Sequence, residues 1–330
     1  MNDRIKTAFL VIALWLSALA TTASPSADGE LYAVLISGGR NRLSNHERYW
    51  NDCTFLYRTL RMTYHVPKRN IMVLMSDGGD PEPDMLLTDG RGFASSPTDL
   101  DGDGLADVYM PATEEAVDYL FIQLSRQLTE ADRLFVFLID HGMGGQSPCV
   151  WLWDNGQLSA YALWSLLGLL RAEAVGVLMG QCYAGAFLPR LMGDGRVLMA
   201  ACAGDELSWV CPDRPYDEFV YHWTCAVNGA DADGNVVQAD EDGDGQVTMA
   251  EAFDYARRHD RQQETPQYAS WPEQLGATWA FGPLDNVGVA SVHEEQPQRQ
   301  PAYSLQGYRQ PRRGGVRVEH GKKFIDKPKQ

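Results

Sequence analysis

The chain has 330 residues, 45% of them hydrophobic, enough to bury a full core in one large domain or two small ones. It carries 44 acidic against 28 basic side chains, a formal charge of −16, which argues against a nucleic-acid partner held by a basic surface. The acids are clustered, four between Asp99 and Asp107 and seven between Asp231 and Glu251, which points to cation sites rather than a uniformly acidic surface.

Arg4 and Lys6 precede an apolar run over 8–20 and small residues through Ala23. That is the charged start, apolar middle and small-residue exit of a secretory signal over 1–23, with Ala18-Leu-Ala20 and Thr21-Thr-Ala23 both acceptable cleavage sites. The run is too short to span a bilayer comfortably, no cysteine follows it to take a lipid, and no later segment is apolar for long enough to cross. An exported protein is expected, periplasmic or extracellular, without stable membrane insertion once the signal is removed.

A domain over 31–289 follows. A first strand is predicted over 31–38 and a helix over 45–64, with Trp50, Phe55, Leu56 and Leu60 on one face. A second strand covers 71–75. The segment 78–111 is so punctuated by Gly, Pro and Asp that no regular structure is expected there. Thr113 caps a helix over 113–128, a strand from Arg133 that stops at His141 follows, and Ser159 opens a helix over 159–170. A strand over 175–181 ends at Cys182, and another covers 197–201. Helices are predicted over 216–227 and 249–259. Beyond 291 the chain is rich in Gln, Arg, Pro and Gly, and 291–330 reads as a disordered basic tail.

Strands alternating with helices imply an α/β fold, a mostly parallel sheet with helices on both faces. Ligands of such sheets bind beyond the carboxyl ends of the strands. Two apolar runs stop at reactive side chains on that edge, one at His141 beside Gly142, the other at Cys182 beside Ala184 and Gly185. A thiol becomes a useful nucleophile when a base or a cation sits next to it. The six cysteines include no Cys-x-x-Cys pair, and no histidines stand at zinc spacing, so a structural zinc site is not expected. With Cys182 free, the other five cannot all pair. One bridge among Cys202, Cys211 and Cys225 is left open.

The segment 240–251 fits a twelve-residue calcium loop of the EF-hand type. Asp240, Asp242 and Asp244 take positions one, three and five, Gly245 makes the sharp turn, Gln246 offers its carbonyl and Glu251 closes the site with two oxygens. Asp99, Asp101 and Asp103 repeat the front half in 99–110, but the twelfth position is Met110, so the closing ligand is missing unless an acid such as Glu114 is borrowed. Structural Ca2+ is expected at 240–251 and left open at 99–110, pinning loops beside the active edge.

Asp140-His141-Gly142 at one strand end, followed by Cys182 at the next, resembles the legumain-like (C13-type) cysteine peptidases, relatives of the caspases. Asn45 eight residues before Cys53, the pocket-like stretch Glu206-Leu-Ser-Trp-Val-Cys211, Asp217 with Phe219 and Trp223, and Thr265-Pro-Gln-Tyr268 extend the likeness over roughly 31–282. The resemblance implies a caspase-like fold and acyl transfer from a peptide or protein substrate without a catalytic cofactor. Cys182 would attack the carbonyl, His141 would polarise the thiol or protonate the leaving amine, and the backbone N–H groups of Gly142 and Cys182 would hold the oxyanion. Asn45 would orient His141. Arg48 or His46, Ser208 and Asp217 would line a pocket favouring Asn, and Asp at acidic pH, on the amino side of the cut. Pairing of Arg48 with Asp217 is the alternative and leaves an apolar pocket. Gly180 stands where plant and animal legumains often carry an acid, Leu207 replaces one of two serines, and their large C-terminal prodomain has no counterpart, so the calcium-like insertions suggest a bacterial-type branch. Two other readings remain: a non-enzymatic calcium-binding surface module, and a transpeptidase or ligase of the same family.

Overall fold

The computed structural model describes residues 29–88, 90–284, 316–319 and 322–325. The expected signal and most of the expected tail lie outside the described residues. In the tail, Val316–Glu319 pairs antiparallel with Lys322–Ile325, a hairpin that the tail's composition does not announce.

Along the chain run β1 (Leu31–Ser37), α1 (Glu47–Arg58), β2 (Ile71–Met75), β3 (Val108–Met110), α2 (Glu114–Gln127), β4 (Arg133–Ile139), α3 (Ala160–Leu167), β5 (Ala174–Met179), β6 (Arg196–Ala200), α4 (Glu218–Asn228), α5 (Met249–His259) and β7 (Gln267–Trp271). The seven strands form one sheet in the order β7-β6-β5-β4-β1-β2-β3. All neighbours are parallel except β7, which runs antiparallel to β6. The unbroken apolar runs of β4 and β5 are buried on both faces, as strands in the middle of a parallel sheet must be.

Side chains alternate across the sheet and divide the core in two. Leu35, Phe135, Phe137, Leu178 and Met199 face α4 and α5, where Phe135 stacks on Trp223 with ring centroids 5.3 Å apart. Val34, Val136, Leu138, Val177 and Leu198 face the other way, toward Phe121, Leu163 and Phe187. Full burial of each large apolar side chain contributes roughly 1.5–3 kcal/mol, so the sheet edge is held by packing on both faces before any loop contact is counted. Capping sets the helix starts: Thr113 and Ser159 accept from the backbone N–H groups of Ala116 and Ala162, and Thr248 and Glu251 cap each other's backbone at the start of α5.

Two expectations about elements need correction. The first helix begins at Glu47, and its regular turns stop at Arg58, with Thr59–Thr63 widening into a π-helical turn. The segment 78–111 is not wholly irregular: Met85–Leu86 pairs with Phe93–Ala94, and β3 extends the main sheet. Both are held by distant partners, for example Leu86 N–H to Asn45 O at 2.7 Å, which no local pattern of Gly and Pro reveals. No helix among the described residues is long and apolar enough to cross a membrane.

Candidate active site

The register of the sheet brings the two reactive residues level. Leu138 of β4 lies opposite Met179 of β5, so three residues further along each chain His141 stands beside Cys182. By parity both turn to the α4 side, the face of Ile139 and Phe137. The strand ends touch: a Cβ on Gly142 would sit 1.9 Å from the carbonyl oxygen of Cys182, so only glycine fits there. After Gly142 the chain is tied down by a small antiparallel sheet of Gly142–Met143, Cys149–Trp151 and Gln157–Ser159.

His141 is partly buried. Its Nε2 lies 3.2 Å from the carbonyl oxygen of Ser44. A carbonyl accepts, so Nε2 carries the hydrogen of the neutral ring and Nδ1 is left as the basic nitrogen. The rings of His46 and Tyr49 meet His141 edge-on at centroid distances of 5.4 and 5.7 Å. Burial and the nearby Arg48 cation lower the His141 pKa from its usual 6.5. Burial and the same cation bring that of His46 down to about 4. Cys182 is partly exposed. Its Sγ is 3.9 Å from the carbonyl oxygen of Ser208 and 3.6 Å from the Ser208 hydroxyl.

Asn45 does not make the contact expected of it. Its buried amide donates to the Asp84 carbonyl at 3.1 Å and to the Asp84 carboxylate at 3.2 Å, and the imidazole contact comes from the neighbouring Ser44 carbonyl. Asn45 thus fixes the turn that carries Ser44. Ser44 acts through its backbone, so its identity gives no signal, and Asp84 sits in the segment expected to be irregular.

The pocket residues are brought together, but in pairs. Arg48 Nε lies 3.1 and 3.2 Å from the two carboxylate oxygens of Asp217. Its Nη2 donates to the Tyr49 hydroxyl at 2.9 Å, and its guanidinium lies 4.4 Å from the centre of the Tyr49 ring. The Asp217 N–H points at the buried Asp52 carboxyl, 3.2 and 3.3 Å from its oxygens. Burial and Asp217 push the Asp52 carboxyl well above the usual carboxylate range, so Asp52 is neutral and Asp217 is the anion paired with Arg48. Nothing in the sequence marks Asp52 as part of this group. His46 and Arg48 border a groove of about 740 Å³ with Leu86, Leu87, Val210 and Pro212 along its walls. Gly180, where relatives of the resemblance carry an acid, has no room for one: a Cβ would fall 2.5 Å from Ile139 and 2.6 Å from Val220.

The two acidic loops differ. The carboxylates of Asp240, Asp242 and Asp244 offer oxygens within 4.8 Å of one another. Glu251 reaches back to the Glu241 N–H at 2.9 Å and sits at the mouth of the same loop. Gln246 opens the short strand Gln246–Thr248 and its side chain is not needed. This donor set of hard oxygens fits a Ca2+ ion. In the other loop the third carboxylate beside Asp99 and Asp101 is Asp107 rather than the expected Asp103. Cations of the chain already serve it: Lys68 pairs with Asp107 at 2.5 Å and approaches Asp103 at 3.9 Å, and Arg61 lies 3.6 Å from Asp101. Glu114 is not borrowed and accepts instead from the Gln157 N–H. All six cysteines are unbridged.

A mostly parallel seven-stranded sheet flanked by helices, with a histidine and a cysteine on neighbouring strand ends, is the α/β arrangement of the caspase-like proteins. Residues 124–275, a little under half of the chain, match the profile of the Peptidase C13 family, the legumain family of cysteine peptidases. The match takes in both His141 and Cys182 and supports a cysteine-peptidase type of function. No curated protein matches the chain. Among solved structures, protein GSU0716 from Geobacter sulfurreducens is similar at a TM-score of 0.41 and 13% identity, over 73% of this chain and 92% of that one.

Proposed function

We propose that the chain is an exported cysteine endopeptidase in which Cys182 and His141 act as a pair. The observation that carries this reading is their level position on adjacent strand ends, with the His141 pKa lowered and its Nδ1 without a partner among the described residues. The proton of Cys182 passes to His141, the sulfur bonds to the scissile carbonyl carbon, and the imidazolium returns the proton to the amine as the C–N bond breaks. Water then cleaves the thioester and restores the thiol. Backbone N–H groups at Gly142 and Cys182 would hold the oxyanion. Arg48 and Asp217 pair with each other, which removes the free charges first expected of the pocket, but the pair keeps further N–H donors on Arg48 and acceptor lone pairs on Asp217, so it does not by itself make the pocket apolar. That favours an amide side chain such as Asn over Lys or Arg on the amino side of the cut. A peptide library with mass-spectrometric readout tests both levels. Cleavage after Asn is expected. Cleavage after Lys or Arg would show that Asp217 dominates the pocket, and no cleavage of any peptide, with no labelling of Cys182 by a peptidyl thiol probe, would favour the calcium-binding module.

The loop 240–251 is proposed to bind structural Ca2+ through Asp240, Asp242, Asp244, Glu251 and the Gln246 carbonyl. A ligand that binds the folded state alone raises the unfolding temperature. Melts in roughly millimolar calcium and in chelator should therefore separate, and Glu251→Gln should shrink the gap. Coincident melts would leave the loop an ordinary acidic turn.

A further inference from the structure

The segment 206–210 runs beside Cys182, touching it through Ser208, and leaves Leu207, Trp209 and Val210 exposed. It is not a strand of the main sheet. Backbone bonds from Tyr183 N–H to the Glu206 carbonyl and from Glu218 N–H to the Trp209 carbonyl, at 2.8 and 2.9 Å, hold one side of it, and the stretch 260–265 holds the other. Thr265 donates its N–H and hydroxyl to Glu206 at 2.8 and 2.9 Å, Gln262 donates its amide to the Val210 carbonyl at 2.8 Å, and the Trp209 N–H donates to Glu264 Oε2 at 2.9 Å. The remaining oxygen of Glu264, Oε1, is buried with no donor among the described residues, and so is Oδ2 of Asp260. The two carboxyls are close enough for each to act on the ionisation of the other. Two neighbouring carboxylates whose facing oxygens are covered from solvent do not both stay ionised at neutral pH. The Trp209 N–H already occupies Glu264 Oε2, and the Gln262 N–H occupies Asp260 Oδ1 at 2.8 Å. One proton between Glu264 Oε1 and Asp260 Oδ2 completes the set.

We propose that Glu264 is a positioning residue: its protonated carboxyl bridges Asp260 to the Trp209 amide and so fixes the 206–210 backbone beside Cys182. Its surroundings keep the proton there. Burial and the Asp260 carboxyl push the Glu264 pKa up to about 10, and the Asp217 charge adds to this. Asp260 also faces Glu218, which raises its own pKa, and His222, which lowers it. The neighbouring Arg261 is bound to Glu218 and Asp213, not to this pair. That 206–210 carries substrate rests on the peptidase reading; the bridge itself does not.

Hydrogen exchange at the Trp209 amide in the full chain, with peptide KM and kcat alongside, tests the proposal. Glu264→Gln can accept from Trp209 and donate to Asp260, so it should keep the amide protected at neutral pH and abolish the alkaline loosening expected of the native chain above roughly pH 10. Glu264→Leu should speed exchange at Trp209 about tenfold and raise KM by a similar factor with kcat little changed. Should that variant fail to fold, Asp260→Asn serves, because an amide there donates to an ionised Glu264 and the alkaline step should vanish. A Glu264→Gln variant as loose as Glu264→Leu would overturn the proposal, since it would mean the group works as a carboxylate. So would unchanged exchange in Glu264→Leu. Exchange as expected with no cleavage of any peptide would leave the bridge standing and sink the peptidase reading instead.

Discussion

The carboxyl ends of β4, β5 and β6 carry two rows of residues, one on each face, and the rows behave oppositely. On the α4 side stand His141 and Cys182, partly exposed beside the groove. One residue away along the same strands, on the other face, stand Asp140, Gln181 and Cys202, all buried. Burial pushes the Asp140 carboxyl well above the usual range, and the Cys202 thiol up to about 12. Cys202 spends its S–H on the carbonyl oxygens of Gln181 and Glu206, at 3.6 and 3.4 Å. Two thiols at the ends of neighbouring strands thus differ through parity: Cys182 is partly exposed on the face of His141, and Cys202 is buried against apolar packing. Reactivity is set by the face a strand end presents, not by the kind of residue it carries.

The largest effect that can break this contrast is at the two thiols. Cys182→Ala should abolish peptide cleavage and labelling by a thiol probe, a loss of about 10³-fold or more. Cys202→Ala should leave labelling intact and cost about 1–2 kcal/mol of stability in chemical denaturation, as a small cavity does. Labelling that follows Cys202 instead would invert the two rows.

A smaller effect is expected in the pH profile. The lowered His141 pKa means its neutral, basic form persists below pH 6.5, so the acidic limb of kcat/KM should fall below that value. Arg48→Met removes a cation that disfavours the imidazolium and leaves the Asp217 anion that favours it. The limb should move to higher pH, and breaking the buried pair should cost about 3 kcal/mol in denaturant unfolding. A limb that stays in place would show that Arg48 does not act on His141.

The smallest effect is at Gln181. Its side-chain amide is fully buried, and neither its nitrogen nor its oxygen has a partner among the described residues. Gln181→Leu should leave the unfolding midpoint unchanged or raise stability by about 1 kcal/mol, with activity within about twofold. A tenfold loss of kcat in a stable variant would mean that the rear row sets the geometry of the front one, since Gln181 Cγ would lie 3.0 Å from a Cβ on Gly142.

Much of this was legible in the chain because it is written locally. The apolar runs of β4 and β5, the Gly142 that follows His141, the caps at Thr113 and Ser159, and the spacing of Asp240, Asp242, Asp244 and Glu251 all depend on neighbours within one element, and periodicity or spacing reads them. The sheet with helices on both faces follows from their alternation.

Other features were decided only when distant segments met. Whether Arg48 faces a ligand or pairs with Asp217 is settled by packing between α1 and the start of α4, 169 residues apart in sequence. That Ser44 rather than Asn45 meets His141 depends on Asp84 drawing the Asn45 amide away, and that Lys68 fills the loop at 99–107 depends on where β2 begins. The Asp260–Glu264 pair is unremarkable as sequence and gains its meaning from the Trp209 amide it meets. Burial and charge pairing depend on three-dimensional neighbours, so the sequence by itself determined which elements form and which residues end them, while the tertiary structure alone decided which polar groups are satisfied, which are neutralised and which are left facing the groove.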